Sequence, residues 1–188
     1  MGEQGALLSM LLNHHARRGA RVDAAGNLVA FEDQDRTLWN RSETDEAVAL
    51  YQKAERIGHI GPYLIQAAIA AEHAQSGSIE TTDWQVIQAH YAALYTLQPS
   101  PVIRLNLIAV EAKTKGPAHA LKALETLDAD LSGYRWLHTL RAGLLQDTGQ
   151  YDAAIAAFNR ALDLGATSPE RAAIHKKIAL CRKQSITL

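Results

Sequence analysis

Thirty residues near the C-terminus, RAGLLQDTGQYDAAIAAFNRALDLGATSPE (Arg141 to Glu170), restrict the fold more than any other part of the chain. Ala142, Leu145, Gly149, Tyr151, Ala154, Phe158 and Ala161 sit at spacings that place them on the facing sides of two helices joined at Gly149-Gln150. Ala142 and Ala154 are small enough for the two backbones to approach closely. Tyr151, Phe158 and Leu162 are bulky enough to fill the groove towards a neighbouring pair. The turn needs a backbone conformation that glycine adopts without strain, and Gly149 stands there.

This is the spacing of a tetratricopeptide repeat, a unit that cannot bury its apolar face alone and therefore stacks. Upstream, Val102 to about Lys115 and Ala118 to Leu127, split by Gly116-Pro117, form a degenerate copy whose second helix is out of step. A helix after Ser168-Pro169 ends in Lys176, Lys177, Arg182 and Lys183 and reads as a solvated cap. Residues 100–188 are thus expected to be a short tetratricopeptide-like solenoid of helix pairs with a C-terminal capping helix.

Residues 1–99 read as a separate helical domain. A first helix spans roughly Glu3 to Arg18, with Leu7, Leu8, Leu11 and Leu12 spaced for one face. Residues 21–31 then break the helical pattern: apolar positions flank Asp23-Ala24-Ala25-Gly26-Asn27, which predicts a small β-hairpin. A second helix, opened by a Ser42/Asp45 capping box, runs to Ile57, and a third starts at Pro62. The apolar YLIQAAIAAEHA marks that third helix as central and buried. Thr82 is expected to cap a fourth helix bearing Trp84, Ile87, Tyr91 and Leu94, stopped by Pro99-Ser100-Pro101. Trp84, Tyr91, Tyr134 and Trp136 read as core. With 33 alanines in 188 residues the fold class is all-α, apart from the hairpin.

The net charge of −1 and the lack of any Lys/Arg-rich run disfavour direct binding of nucleic acid, whose affinity rests on neutralising phosphates. A single cysteine, Cys181, suits a reducing compartment, and no apolar run approaches membrane-spanning length. Without a secretory signal, the expectation is a cytoplasmic protein. Met1-Gly2-Glu3-Gln4-Gly5 runs straight into ALLSMLL and reads as an opening made inside a longer protein.

The candidate chemistry lies in EDQDRTLW, where Glu32, Asp33 and Asp35 precede Arg36 and Trp39, with His14 and His15 upstream. His14, His15, Asp33 and Asp35 are the residues a mixed histidine/carboxylate metal site would use, but their spacing matches no known binding loop. Acid/base catalysis by the carboxylates lacks a neighbouring nucleophile or substrate cradle. A structural role fits better: Asp33 or Asp35 caps the helix that follows, the other carboxylates pair with Arg17, Arg18, Arg21 or Arg36, and Trp39 seals the core. His73, His90, His119 and His138 fall on separate helices without the i, i+4 pairing of a helical zinc site. No phosphate loop, dinucleotide fingerprint or nucleophile elbow occurs, so no cofactor is called for.

Five motifs in order carry a resemblance: ARVDAAGNLVAFEDQDRTLW, IGPYLIQAAIAAEHA, TDWQVIQAHYAAL, PSPVIRLN and GQYDAAIAAFNRAL. Within them stand Asp33, Gln34, Asp35, Arg36 and Trp39; Gly61, Pro62 and Gln66; Trp84; Pro101 and Asn106; and Gly149, Tyr151, Ala154 and Phe158. Together they resemble the C-terminal extension of a subgroup of bacterial extracytoplasmic-function RNA polymerase sigma factors, over essentially the whole chain. After Asn106 the sequence departs, reading LIAVEA where that pattern has an arginine and small apolar residues. The resemblance implies that the two sigma domains are absent here and that these signature residues are structural. It also implies a non-enzymatic regulatory module, docking on sigma domains, on core polymerase or on another regulator, and leaves the oligomeric state open. The alternative is a small-molecule or metal-dependent sensor or enzyme centred on the hairpin and Glu32–Asp35.

Overall fold

In the computed structural model, which describes residues 2–24 and 26–186, the chain is helical and forms two compact units. One comprises the residues before 26 together with Val29–Ile103; the other comprises Gly26–Leu28 with Arg104–Leu188. The division falls inside a helix.

The first unit contains α1 (Gly2–Ala16), α2 (Arg41–Arg56), α3 (Pro62–Gln75) and α4 (Trp84–Leu97). Helix α3 packs against the other three, and α1 also packs against α2. Alanine makes this possible: Ala6, Ala47 and Ala67 have no exposed surface, and Ala54 has almost none. With methyls at the crossings the helices approach closely enough for the Ser9 hydroxyl to donate to the Ala47 carbonyl at 2.6 Å, fully buried. Leu64, Ile65 and Ile69 of α3 and Ile87 and Leu94 of α4 supply the bulk.

The expected hairpin is not there. Among the described residues no strand forms. Val22 and Leu28 are isolated bridge positions, and the turn is closed by the Val29 N–H donating to the Arg21 carbonyl at 2.9 Å. Two strands without a third, or without a helix against their face, bury too little to persist as a ribbon. Both residues are accordingly exposed, and 3₁₀ turns at Arg18–Ala20 and Phe31–Asp33 flank the segment.

Two caps also differ from expectation. Asn40, not Ser42, opens α2: its backbone is extended and its side-chain oxygen accepts from the Glu43 N–H. Its own N–H donates to the Ala16 carbonyl at 2.8 Å, which fixes where the chain re-enters after α1. Asp83, not Thr82, caps α4, accepting from the N–H groups of Gln85 and Val86. Thr82 is buried and its hydroxyl donates to the Ser78 carbonyl.

The cap of α3 comes from 60 residues away. Glu3 of α1 places its two carboxylate oxygens 3.1 Å from the N–H groups of Tyr63 and Leu64, satisfying two orphan donors at the positive pole of α3. Gly61 makes room for it, since a β-carbon there would lie 2.4 Å from the Glu3 carboxyl carbon. Glu3→Ala and Gly61→Ala are each expected to destabilise the fold by about 1 kcal/mol. The double variant should lose no more than the worse single one, because both remove the same cap. Urea denaturation of the four proteins checks this, and strictly additive losses would show that the two residues do not share it.

The second unit holds most of α5 (Pro101–Lys115), then α6 (Pro117–Leu124), α7 (Asp128–Leu131), α8 (Arg135–Asp147), α9 (Tyr151–Asp163) and α10 (Ser168–Ser185). Leu105 and Ile108 of α5, Ala120 and Leu124 of α6 and Leu137 and Leu144 of α8 share one core. The expected helix from Ala118 to Leu127 stops at Leu124 and tightens into a 3₁₀ turn before α7, so this pair is irregular. In the divergent LIAVEA stretch, Glu111 is buried and held by Lys115 at 2.9 Å and Arg104 at 3.4 Å. Helices α8 and α9 form an antiparallel hairpin. Gly149 takes φ +75°, and Gln150 donates back to the Leu145 carbonyl at 2.9 Å. Ala142, Ala154, Phe158 and Ala161 are fully buried, with Ile174, Ile178 and Cys181 of α10 closing the same cluster. Tyr134 packs partly into a core, but Trp136 does not: it is 46% exposed, with the Arg135 guanidinium 4.7 Å from its ring centre.

Candidate functional site

The segment from Phe31 to Trp39 carries the residues singled out in the sequence; Phe31 and Arg36 reach His73 of α3, and Phe31 and Trp39 lie beside Arg17. Glu32 and Asp33 are exposed at the end of a 3₁₀ turn. Asp35 caps the next turn, Arg36–Leu38, accepting from the Thr37 N–H at 2.9 Å and the Thr37 hydroxyl at 2.7 Å. These hydrogen bonds hold the Asp35 carboxyl below its usual range. Gln34 donates weakly to the Val29 carbonyl, at 3.4 Å.

Arg36 does something the carboxylates do not. Its guanidinium donates to the carbonyls of His73 and Ser76, both at 2.8 Å, and to the Thr82 hydroxyl at 3.2 Å. It thereby binds the C-terminal end of α3 and the loop after it, where orphan carbonyls and the negative helix pole favour a cation. The same group lies 5.3 Å from the Trp39 ring centre. Burial lowers its pKa and the charge of Glu80 opposes that. The expected pairing of Arg36 with a nearby carboxylate is replaced by carbonyl binding. Arg18 does pair with a carboxylate, but with Glu43 of α2, which also holds His15 at 3.0 Å.

His14 and His15 therefore point to different partners: His14 Nδ1 accepts from the Arg17 guanidinium, and His15 Nδ1 lies 3.0 Å from the Glu43 carboxylate. Among the described residues no three of His, Cys, Asp and Glu gather in a way that could hold a metal ion. His14, His15, Asp33 and Asp35 are not brought together into a site.

What is brought together is a cavity of about 260 Å³. Met10, Asn13 and His14 of α1 with Arg17 just after it line one side, Gln66, Ile69, Ala70 and His73 of α3 another, and Phe31, Trp39 and Tyr91 complete it. Trp39, expected to seal the core, is half-buried and forms a wall of this space. Arg17 stacks 4.7 Å from the centre of Phe31. His73 meets Phe31 edge-on at 4.7 Å and Trp84 at 5.5 Å. Burial, then the charges of Arg36 and Arg17, push the His73 pKa down to about 4, so its ring is neutral at pH 7. Burial and Arg21 lower Arg17 to about 10, which leaves it protonated. Among the described residues no Asp, Glu, Ser, Thr, Cys or Lys lines the space; its lining offers aromatic rings and the polar groups of Asn13, His14, Arg17, Gln66, His73 and Tyr91.

Of the signature residues, Trp39 and Gln66 line the cavity and Arg36 braces it from behind, while Trp84 stands behind His73. Gly61 and Pro62 shape the capped start of α3. Pro101 and Asn106 are exposed on α5, and Gly149, Tyr151, Ala154 and Phe158 belong to the other unit. Asn13, Arg17, Phe31 and His73 were not anticipated as lining. A signal existed: Met10, Asn13 and His14 on α1 with Arg17 at its end, and Gln66, Ile69, Ala70 and His73 on α3, repeat at i, i+3, i+4, i+7. Polar residues recurring on a core-facing helix stripe are the mark of a lined space.

Residues 1–55, which include α1, the Phe31–Trp39 segment and most of α2, match the family described as "Family of unknown function (DUF6596)". A curated protein of Rhizobium meliloti (strain 1021), described as an uncharacterized protein, is 46% identical over 176 residues. The match takes in 94% of this chain and 42% of that protein, so the chain spans less than half the length of its relative. No solved structure matches the chain.

Proposed function

We propose that the chain is the regulatory, protein-docking part of an extracytoplasmic-function sigma factor, working in the cytoplasm by engaging sigma domains or core RNA polymerase. The observation that carries this reading is the α8–α9 hairpin. Its buried Ala142, Ala154, Phe158 and Ala161 and its glycine turn fit a tetratricopeptide-like pair, with α10 packed on it as a cap. Such arrays are recognition scaffolds rather than catalysts. On α8, exposed Trp136 stacked beside Arg135 is the pair of residue types that most often dominates binding energy at protein interfaces. The order of the five motifs supports the sigma-factor assignment, and a relative more than twice as long as its matched stretch is the arrangement the reading requires.

Calorimetric titration of the chain against separately expressed sigma domains of its relative, and then against core polymerase, tests the proposal. The expected result is binding to one of them, weakened about tenfold or more by Trp136→Ala. Absence of binding to both by the folded chain would overturn it.

A further inference from the structure

We propose that the cavity between α1, α3 and the Phe31–Trp39 segment is a binding site for a small planar organic anion, an aromatic monocarboxylate of one or two rings. The inference goes beyond the docking reading and stands whether or not that reading holds.

The first ground is a set of polar atoms with nothing to bond. Asn13 is 6% exposed, and neither its amide nitrogen nor its oxygen has a hydrogen-bond partner. Trp39 Nε1 and His73 Nδ1, on two other walls, are buried and equally unpartnered. Buried polar groups are almost always satisfied, and three residues of one lining carry buried atoms that are not, which a small side-chain turn brings to a group bound there. Asparagine in particular is a poor choice for this face of α1: leucine or methionine would pack there at no desolvation cost.

The second ground is charge. Among the described residues the lining contains the Arg17 guanidinium and no carboxylate. The Arg17 guanidinium lies over Phe31 and gives one nitrogen to His14 Nδ1, and its remaining donors suit the oxygens of a carboxylate. Trp39 N–H can only donate, and the Asn13 amide both donates and accepts. The set therefore matches an anion with an additional polar substituent.

The third ground is shape. Phe31 and Trp39 contribute aromatic rings to the lining, Met10 and Ile69 add apolar surface, and a volume of about 260 Å³ is just below the usual range of ligand sites. A flat hydrophobic body fits between such walls. A fully hydrated inorganic anion would leave them uncovered.

The test uses the intact chain, with benzoate and indole-3-carboxylate as probes and benzamide, indole and inorganic phosphate as comparators. Titration is followed by calorimetry and by tryptophan fluorescence. The aromatic carboxylates are expected to bind about tenfold or more tightly than their neutral counterparts, and phosphate is expected not to compete. Asn13→Leu should fold at least as well as the parent protein and bind the probes at least about tenfold more weakly; Arg17→Gln gives the same readout should the first variant fail to fold. Failure of both carboxylates to bind, equal binding of the neutral analogues, displacement by phosphate at equal concentration, or unchanged affinity in folded Asn13→Leu would each overturn the proposal.

Discussion

Phe158→Ala is expected to lower the free energy of unfolding by about 3–5 kcal/mol, a large share of the total for a domain of this size. The side chain has no exposed surface and is wedged where α8, α9 and α10 meet. Its neighbours decide the magnitude. Ala142 stands across the hairpin and Ala154 one turn back on the same helix, and their methyl groups have no rotamers with which to reach into a hole. Ile174 and Ile178 of α10 are β-branched and stiff, so the cavity can close only by moving a helix. The loss should therefore fall in the upper part of the range for aromatic-to-alanine changes, whereas Phe158→Leu should cost about half as much or less. Urea denaturation followed by far-UV circular dichroism measures both. A loss below about 1 kcal/mol for Phe158→Ala would mean that α10 readily repacks, and that the three helices are not held by this side chain.

That pair was legible in the sequence because its determinants are local. Small residues at fixed spacing and a glycine between them say where two helices touch before any tertiary contact is known. The segment 21–31 was not legible in the same way. Alternation of apolar residues around a glycine is what a hairpin needs, but whether a ribbon persists depends on what covers its face, and Val22 and Leu28 are left uncovered. Caps failed for a related reason. Ser42 and Thr82 are good capping types, yet Asn40 and Asp83 win because the preceding chain is pinned there, Asn40 by its N–H on the Ala16 carbonyl. The cavity was the least legible feature. Its lining comes from elements up to 81 positions apart, from Met10 to Tyr91, and each residue alone reads as an ordinary core or surface position. Only the repetition of polar types on two apolar stripes pointed to it. The carboxylates of EDQDRTLW drew attention for their charge, whereas the residue that reaches furthest into the structure is the arginine behind them.

Arg36→Ala is therefore expected to destabilise the protein by about 2–4 kcal/mol, while Asp33→Asn, at an exposed position, should be indistinguishable from the parent. Three charge-assisted hydrogen bonds disappear with the guanidinium, and the carbonyls of His73 and Ser76 are left facing space that it filled. Its stacking against Trp39 goes with it. Arg36→Lys should recover only a small part. An ammonium is a single point and cannot span two carbonyls and the Thr82 hydroxyl from one position, so one or more of the three remains unmet. The consequence extends to the cavity, because Arg36 fixes Trp39 on one side and the backbone of His73 on the other. Near-UV circular dichroism should lose intensity in Arg36→Ala before any change in helix content, as the Trp39 and His73 walls lose their brace. Denaturation curves and near-UV spectra of the three variants decide the matter. Should Arg36→Lys match the parent protein in both, the role would be one of charge alone, and the forked geometry at the end of α3 would be incidental.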